Sequence, residues 1–132
     1  MKSLRLLLLA ALLLSACAAS SAAPAWTPES ATEWRSLGEI VQQLNDAALR
    51  TQYQDAADEL DSLRPQFYGA HSHPPALLAA YAEAVRQAVE TCHLLAMLPD
   101  NSVALTACRD DLDAARLEAA RVIAEHGQPI VP

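Results

Sequence analysis

Apolar positions recur along this chain at helical spacing, and no segment alternates as a half-buried strand would. Trp34, Leu37, Val41, Leu44 and Ala48 stand three and four residues apart, which puts them on one face of a helix. Ala56, Leu60, Leu63 and Phe67 form a second stripe, joined to the first by two steps of four through the polar Gln52. A locally unwound helix absorbs such a stutter, and no Gly or Pro lies between Glu39 and Arg64. The pattern therefore favours one long helix from Pro28 to about Arg64, with a break near Arg50-Thr51-Gln52 as the alternative. Thr27-Pro28-Glu29 supplies its start: an N-cap, a proline in the first turn and an acid beside it.

Pro65, Gly69, Pro74 and Pro75 mark a loop from 65 to 75. Beyond it Leu78, Tyr81, Val85, Ala88, Cys92 and Leu95 align on one face of a helix running to about Leu98. Pro99 to Ser102 breaks that helix and offers caps for the next. Leu105, Cys108, Leu112, Ala115, Ala119 and Val122 then form the last stripe. It ends at His126, followed by Gly127 and Pro129, a C-terminal stop. The expected fold is all-α, a three-helix bundle, or four helices if the first is broken near residue 51.

The N-terminal pattern is of another kind. Lys2 and Arg5 precede an apolar run from Leu6 to Leu14, too short for a membrane span of about 20 residues. Leu14-Ser15-Ala16-Cys17 closes the run, and in this order of residues the segment 1–17 resembles the lipobox signal of bacterial lipoprotein precursors. The resemblance implies cleavage before Cys17, a diacylglyceryl thioether on its sulfur and an acylated (palmitate-type) amine. Two or more acyl chains anchor stably at ~0.8 kcal/mol per buried methylene. Residues 1–16 are then a signal peptide, 17–26 a lipidated Ala/Ser-rich tether and 27–132 the helical domain. Ala18 does not supply the Asp that retains such lipoproteins at the inner membrane of enteric bacteria. An outer membrane, with the domain facing the periplasm, is the expected location where the host has one.

With Cys17 assigned to lipid, Cys92 and Cys108 remain as an even pair, as an oxidising compartment favours. They lie almost symmetrically about the Pro99–Ser102 turn, so an antiparallel hairpin brings them to one depth, where a disulfide can close.

Charge narrows the choice of partners. The 9 basic residues of the chain lose Lys2 and Arg5 with the signal, leaving 7 against 16 acids, a formal charge of −9. Nucleic acid and anionic lipid surfaces want basic patches, so membrane contact is expected through the acyl chains alone.

The densest chemistry lies between Arg64 and Pro74, where His71 and His73 are two apart and imidazole is a common ligand of zinc, copper and nickel. His93 could join them from its helix. Against that, Ser72 or His73 can cap the next helix, leaving His71 an exposed loop residue. Trp26, Phe67 and Tyr68 stand at element ends, as partner anchors or as plugs of the bundle. No Gly-x-Ser-x-Gly elbow and no glycine-rich phosphate loop occurs. The expected function is accordingly non-enzymatic and cofactor-free: an anchored helical domain binding a protein partner of the cell envelope. The alternative is a metal or haem carrier using His71 and His73.

Overall fold

The computed structural model describes residues 25–49, 53–98 and 100–129. The signal segment, Cys17 and most of the tether lie outside the described residues. Among those described, every regular element is helical: α1, Pro28–Leu49; α2, Tyr53–Ala70; α3, Ala79–Met97; and α4, Ser102–His126. A short 3-10 turn, Ala76–Leu78, leads into α3.

The first helix starts through a reciprocal cap. Thr27 Oγ1 accepts from the Ser30 backbone N–H at 3.1 Å, and Ser30 Oγ accepts from the Thr27 N–H at 2.8 Å. This is a capping box in which serine takes the place of the usual Glu or Gln. At α4, Asn101 accepts from the N–H groups of Val103 and Ala104, both at 3.0 Å. Gly127 ends that helix at φ 74°, a left-handed conformation that glycine adopts without cost.

Among the described residues there are four helices, the expected alternative to three, because α1 and α2 are separate and fold back on each other. Glu33 and Ser36, near the start of α1, both hydrogen-bond His71, just past the end of α2. A straight helix from 28 to 64 would carry residue 64 about 46 Å from residue 33. Seven extended residues span at most about 24 Å, so the long helix could not bring these partners together.

The loop expected from 65 to 75 is also corrected. Helix α2 continues through Pro65 to Ala70, and the loop begins at His71. Proline removes one helical N–H, but Pro65 and Asp61, whose carbonyl loses its partner, are both exposed and water can serve there. Burial of Phe67 at 3% exposure and the bonds of His71 reward the extra turn. The helix after the loop keeps its expected face but starts at Ala79, and neither Ser72 nor His73 caps the 3-10 turn before it.

The helices alternate in direction, and α1 and α3 touch across the middle between α2 and α4. Leu37, Leu44, Leu60, Leu63, Leu78, Val85, Val89, Leu95 and Leu112 are fully buried at their junction. Alanines 47, 56, 88 and 115 are fully buried as well. Cys92 and Cys108 join α3 to α4 by a disulfide, with Cα atoms 4.6 Å apart and both residues buried. Thr91 hydrogen-bonds Asp111 beside it.

One end of the bundle, here the proximal end, gathers the start of α1, the end of α2, the 71–78 loop and the end of α4. Trp26 fastens the chain there: its Nε1 donates to the Gly127 carbonyl at 3.0 Å. Its ring meets Trp34 edge-on at 5.6 Å, and Trp34 in turn lies 5.1 Å from Tyr81. Burial pushes the Tyr81 phenol above its ordinary range. The distal end carries the α3–α4 turn, where Asp100 takes φ 64°.

Candidate functional site

The most organised polar cluster lies at the proximal end, built by two residues of α1 and the first residue after α2. The His71 N–H donates to the Phe67 carbonyl at 2.8 Å, which continues the α2 ladder by one bond and fixes the backbone of His71. Its side chain is 1% exposed and packs against the Phe67 ring at 5.3 Å. Glu33 Oε1 lies 2.5 Å from His71 Nδ1, and Ser36 Oγ lies 3.1 Å from His71 Nε2. Glu33 and Ser36 are neighbours on the α1 surface, three residues apart, so one helical turn grips both edges of the imidazole.

This arrangement selects a tautomer. A carboxylate only accepts, so Nδ1 carries the proton toward Glu33; on a neutral ring, Nε2 then accepts from the Ser36 hydroxyl. Both ring nitrogens are engaged. The sequence reading of His71 as an exposed loop residue is therefore replaced by a buried, doubly bonded one.

Two grooves flank the ring. One, of about 370 Å³, is lined by Ser36, Glu39, Ile40, Gln43, Gln66 and His71 among others. The second, of about 250 Å³, runs past Phe67, Tyr68, Ser72, Glu83 and Arg86.

His73, the second member of the expected metal pair, is exposed on the loop. His93 lies on α3, its Nδ1 3.2 Å from Asp61 Oδ1 without a well-aligned hydrogen bond. Among the described residues, no three His, Cys, Asp or Glu side chains converge as metal ligands, so His71, His73 and His93 are not brought to one centre.

Of the expected partner anchors, Trp26 and Phe67 are core residues, 9% and 3% exposed, which fits the plug reading of both. Tyr68 remains at the surface. Its hydroxyl donates to Glu90 Oε1 at 2.6 Å, and Arg64 Nε donates to the same oxygen at 2.9 Å. The Tyr68 hydrogen bond, and then Arg64, hold the Glu90 carboxyl below the usual carboxylate range.

Leu94, Met97, Leu98 and Val103 stand in solvent around the distal α3–α4 turn, with Val103 77% and Met97 67% exposed. Sequence reasoning did not single out these four, nor Glu33 and Ser36. Nothing short-range distinguishes Glu33-x-x-Ser36 from any polar turn of a helix, and its histidine comes 35 residues after Ser36. No helix of the described residues is long and apolar enough to cross a membrane. Comparison of the chain with protein-family models, with curated proteins and with solved structures finds no match.

Proposed function

We propose that the protein is a lipid-anchored, extracytoplasmic lipoprotein whose four-helix domain binds a protein partner of the cell envelope through its distal end. The observation that carries the reading is the exposure of Leu94, Met97, Leu98 and Val103 together at the α3–α4 turn. Large apolar side chains left together in water are an interaction signature, whereas single ones are ordinary. Chain direction adds to this. The tether enters at Trp26, which is fastened to Gly127 at the far end of the 25-residue α4. A helix of that length spans about 37 Å, so the apolar end would reach away from the anchoring membrane toward a partner. Cys17 supplies the anchor in this reading.

Two measurements test it. Membrane fractionation should find the wild-type chain in the membrane and Cys17→Ala in the soluble fraction; a variant that stays in the membrane would reject the anchor. A photoreactive side chain at position 97 or 103 should crosslink one partner in intact cells. Met97→Glu with Val103→Glu should abolish association with that partner while the domain stays folded. Undiminished association in the double variant would reject the distal surface.

A further inference from the structure

The Glu33–His71–Ser36 cluster goes beyond an interaction domain, and we infer that it is a nucleophilic acyl-transfer site that hydrolyses small neutral or cationic carboxylic esters. Nucleophile, base and orienting group make a hydrogen-bonded series: Ser36 Oγ at 3.1 Å from His71 Nε2, and His71 Nδ1 at 2.5 Å from Glu33 Oε1. Such a series is recognised by geometry and roles, because it recurs on unrelated folds in different chain orders. The imidazole is locked by burial, by both ring bonds and by Phe67 beneath it. Ser36, in contrast, is only half buried and lines the 370 Å³ groove together with His71, so a carbonyl lodged in that groove reaches its oxygen.

The same groove sets the substrate class. Glu39, exposed on its wall, places a negative charge beside the nucleophile, and the chain has a net charge of −7. Anionic esters are repelled by both. Gln43 and Gln66 line the walls with side-chain amides that can donate to a developing oxyanion.

Ser36 Oγ attacks the ester carbonyl carbon, and its proton passes to His71 Nε2. Collapse of the tetrahedral adduct breaks the ester C–O bond, and the leaving alkoxide takes the proton from Nε2. Water, giving its proton to Nε2, then attacks the acyl–Ser36 carbonyl. The Ser36–acyl bond breaks, Ser36 Oγ recovers the proton and the carboxylic acid departs. Glu33 acts through His71 as a positioning residue, holding the tautomer in which Nε2 is the base.

The test uses the full chain in detergent, with a fluorophosphonate probe and p-nitrophenyl acetate, and peptide mapping to locate the adduct. Ser36→Ala removes one hydroxyl and its melting curve reports whether the fold survives. Expected are a covalent adduct on Ser36 and hydrolysis at least about 100-fold faster than in Ser36→Ala, the low end of what positioned acid–base catalysis contributes. Glu33→Gln should lower kcat with KM unchanged, and a choline ester should be turned over faster than an anionic succinate monoester. Overturning results are a folded wild-type chain that takes no probe at Ser36, or ester hydrolysis unchanged by Ser36→Ala. The second outcome would place the reactivity on another group, such as the exposed His73.

Discussion

Glu33 on α1 and His71 just past the end of α2 meet at 2.5 Å, although 38 residues separate them in the chain. The contact ties two antiparallel helices at the proximal end, and it is almost wholly withdrawn from water, with side chains 16% and 1% exposed. Removing the carboxylate would strand the Nδ1–H of a buried ring. A buried donor left without a partner costs about 1–3 kcal/mol. Glu33→Ala should therefore lower the urea unfolding free energy by about that amount. Ser36→Ala should lower it by less than about 1.5 kcal/mol, the net worth of an ordinary hydrogen bond, since groove water can reach the freed Nε2. Equal stability of wild type and Glu33→Ala in urea would contradict the staple.

The Cys92–Cys108 bridge acts differently, by restricting the unfolded chain. It closes a loop with a sequence separation of 16 between α3 and α4. In the chain-entropy treatment a loop of this size stabilises by about 3 kcal/mol. That is a large share for a domain whose core relies on many alanines, given net stabilities of ~5–15 kcal/mol. Cys92→Ala with Cys108→Ala should thus lower the urea unfolding free energy by ~3 kcal/mol plus a small packing loss at two fully buried positions, and the midpoint with it. Mass spectrometry of the wild-type chain should give a value two hydrogens below the reduced mass. A midpoint unmoved by the double substitution would show that the hairpin needs no clamp.

Much of this architecture was legible in the sequence because it depends on short-range pattern. The α3 stripe from Leu78 to Leu95 is buried residue for residue, and Cys92 and Cys108 meet as their symmetry about the turn required. The α1–α2 break was less legible. The apolar stripe runs past residues 50–52 without Gly or Pro, and only the burial gained by folding α2 back onto α1 and α3 decides for two helices. Pro65 misled in the opposite direction. Its local signal says stop, yet the helix persists because the residues after it, Phe67 and His71, gain tertiary contacts. The candidate site had no short-range signal at all. His71 drew attention as half of a histidine pair, while its true neighbours, Glu33 and Ser36, lie on another helix.

Glu90 gives a pH dependence with a defined sign. Its carboxyl sits below the usual range, first because Tyr68 donates to it and next because Arg64 does. A carboxyl held low in the native state takes up its proton later than in the unfolded chain. Its stabilising effect is present above the ordinary glutamate value of about 4.3 and is lost as pH falls through the depressed native value. Acid unfolding followed by circular dichroism should show that loss below about pH 4.3. Glu90→Gln should flatten that limb by lowering stability at neutral pH and leaving the acid end little changed, and the loss should be small because the side chain is 33% exposed and solvent screens it. A Glu90→Gln curve that overlays the wild type through the acid limb would count against the triad of Arg64, Tyr68 and Glu90.

Trp26 links the first described turn of the domain to its last. Its indole N–H reaches the Gly127 carbonyl at 3.0 Å across 101 residues, while its ring packs edge-on against Trp34. These two contributions separate by substitution. Trp26→Phe retains an aromatic ring at the end of the bundle but has no N–H, so it should cost about 1 kcal/mol, the typical net value of one hydrogen bond. Trp26→Ala also loses the ring packing, and large aromatic truncations in a core cost about 3–5 kcal/mol. At 9% exposure Trp26 belongs near the lower end of that range. The order wild type, Trp26→Phe, Trp26→Ala should appear in urea midpoints. Hydrogen exchange should quicken in the last turn of α4 in both variants, where Gly127 donates to Ile123 at 2.9 Å. Unchanged protection there would mean that α4 ends where it does through Gly127 alone, and that the tryptophan only shields the end of the core.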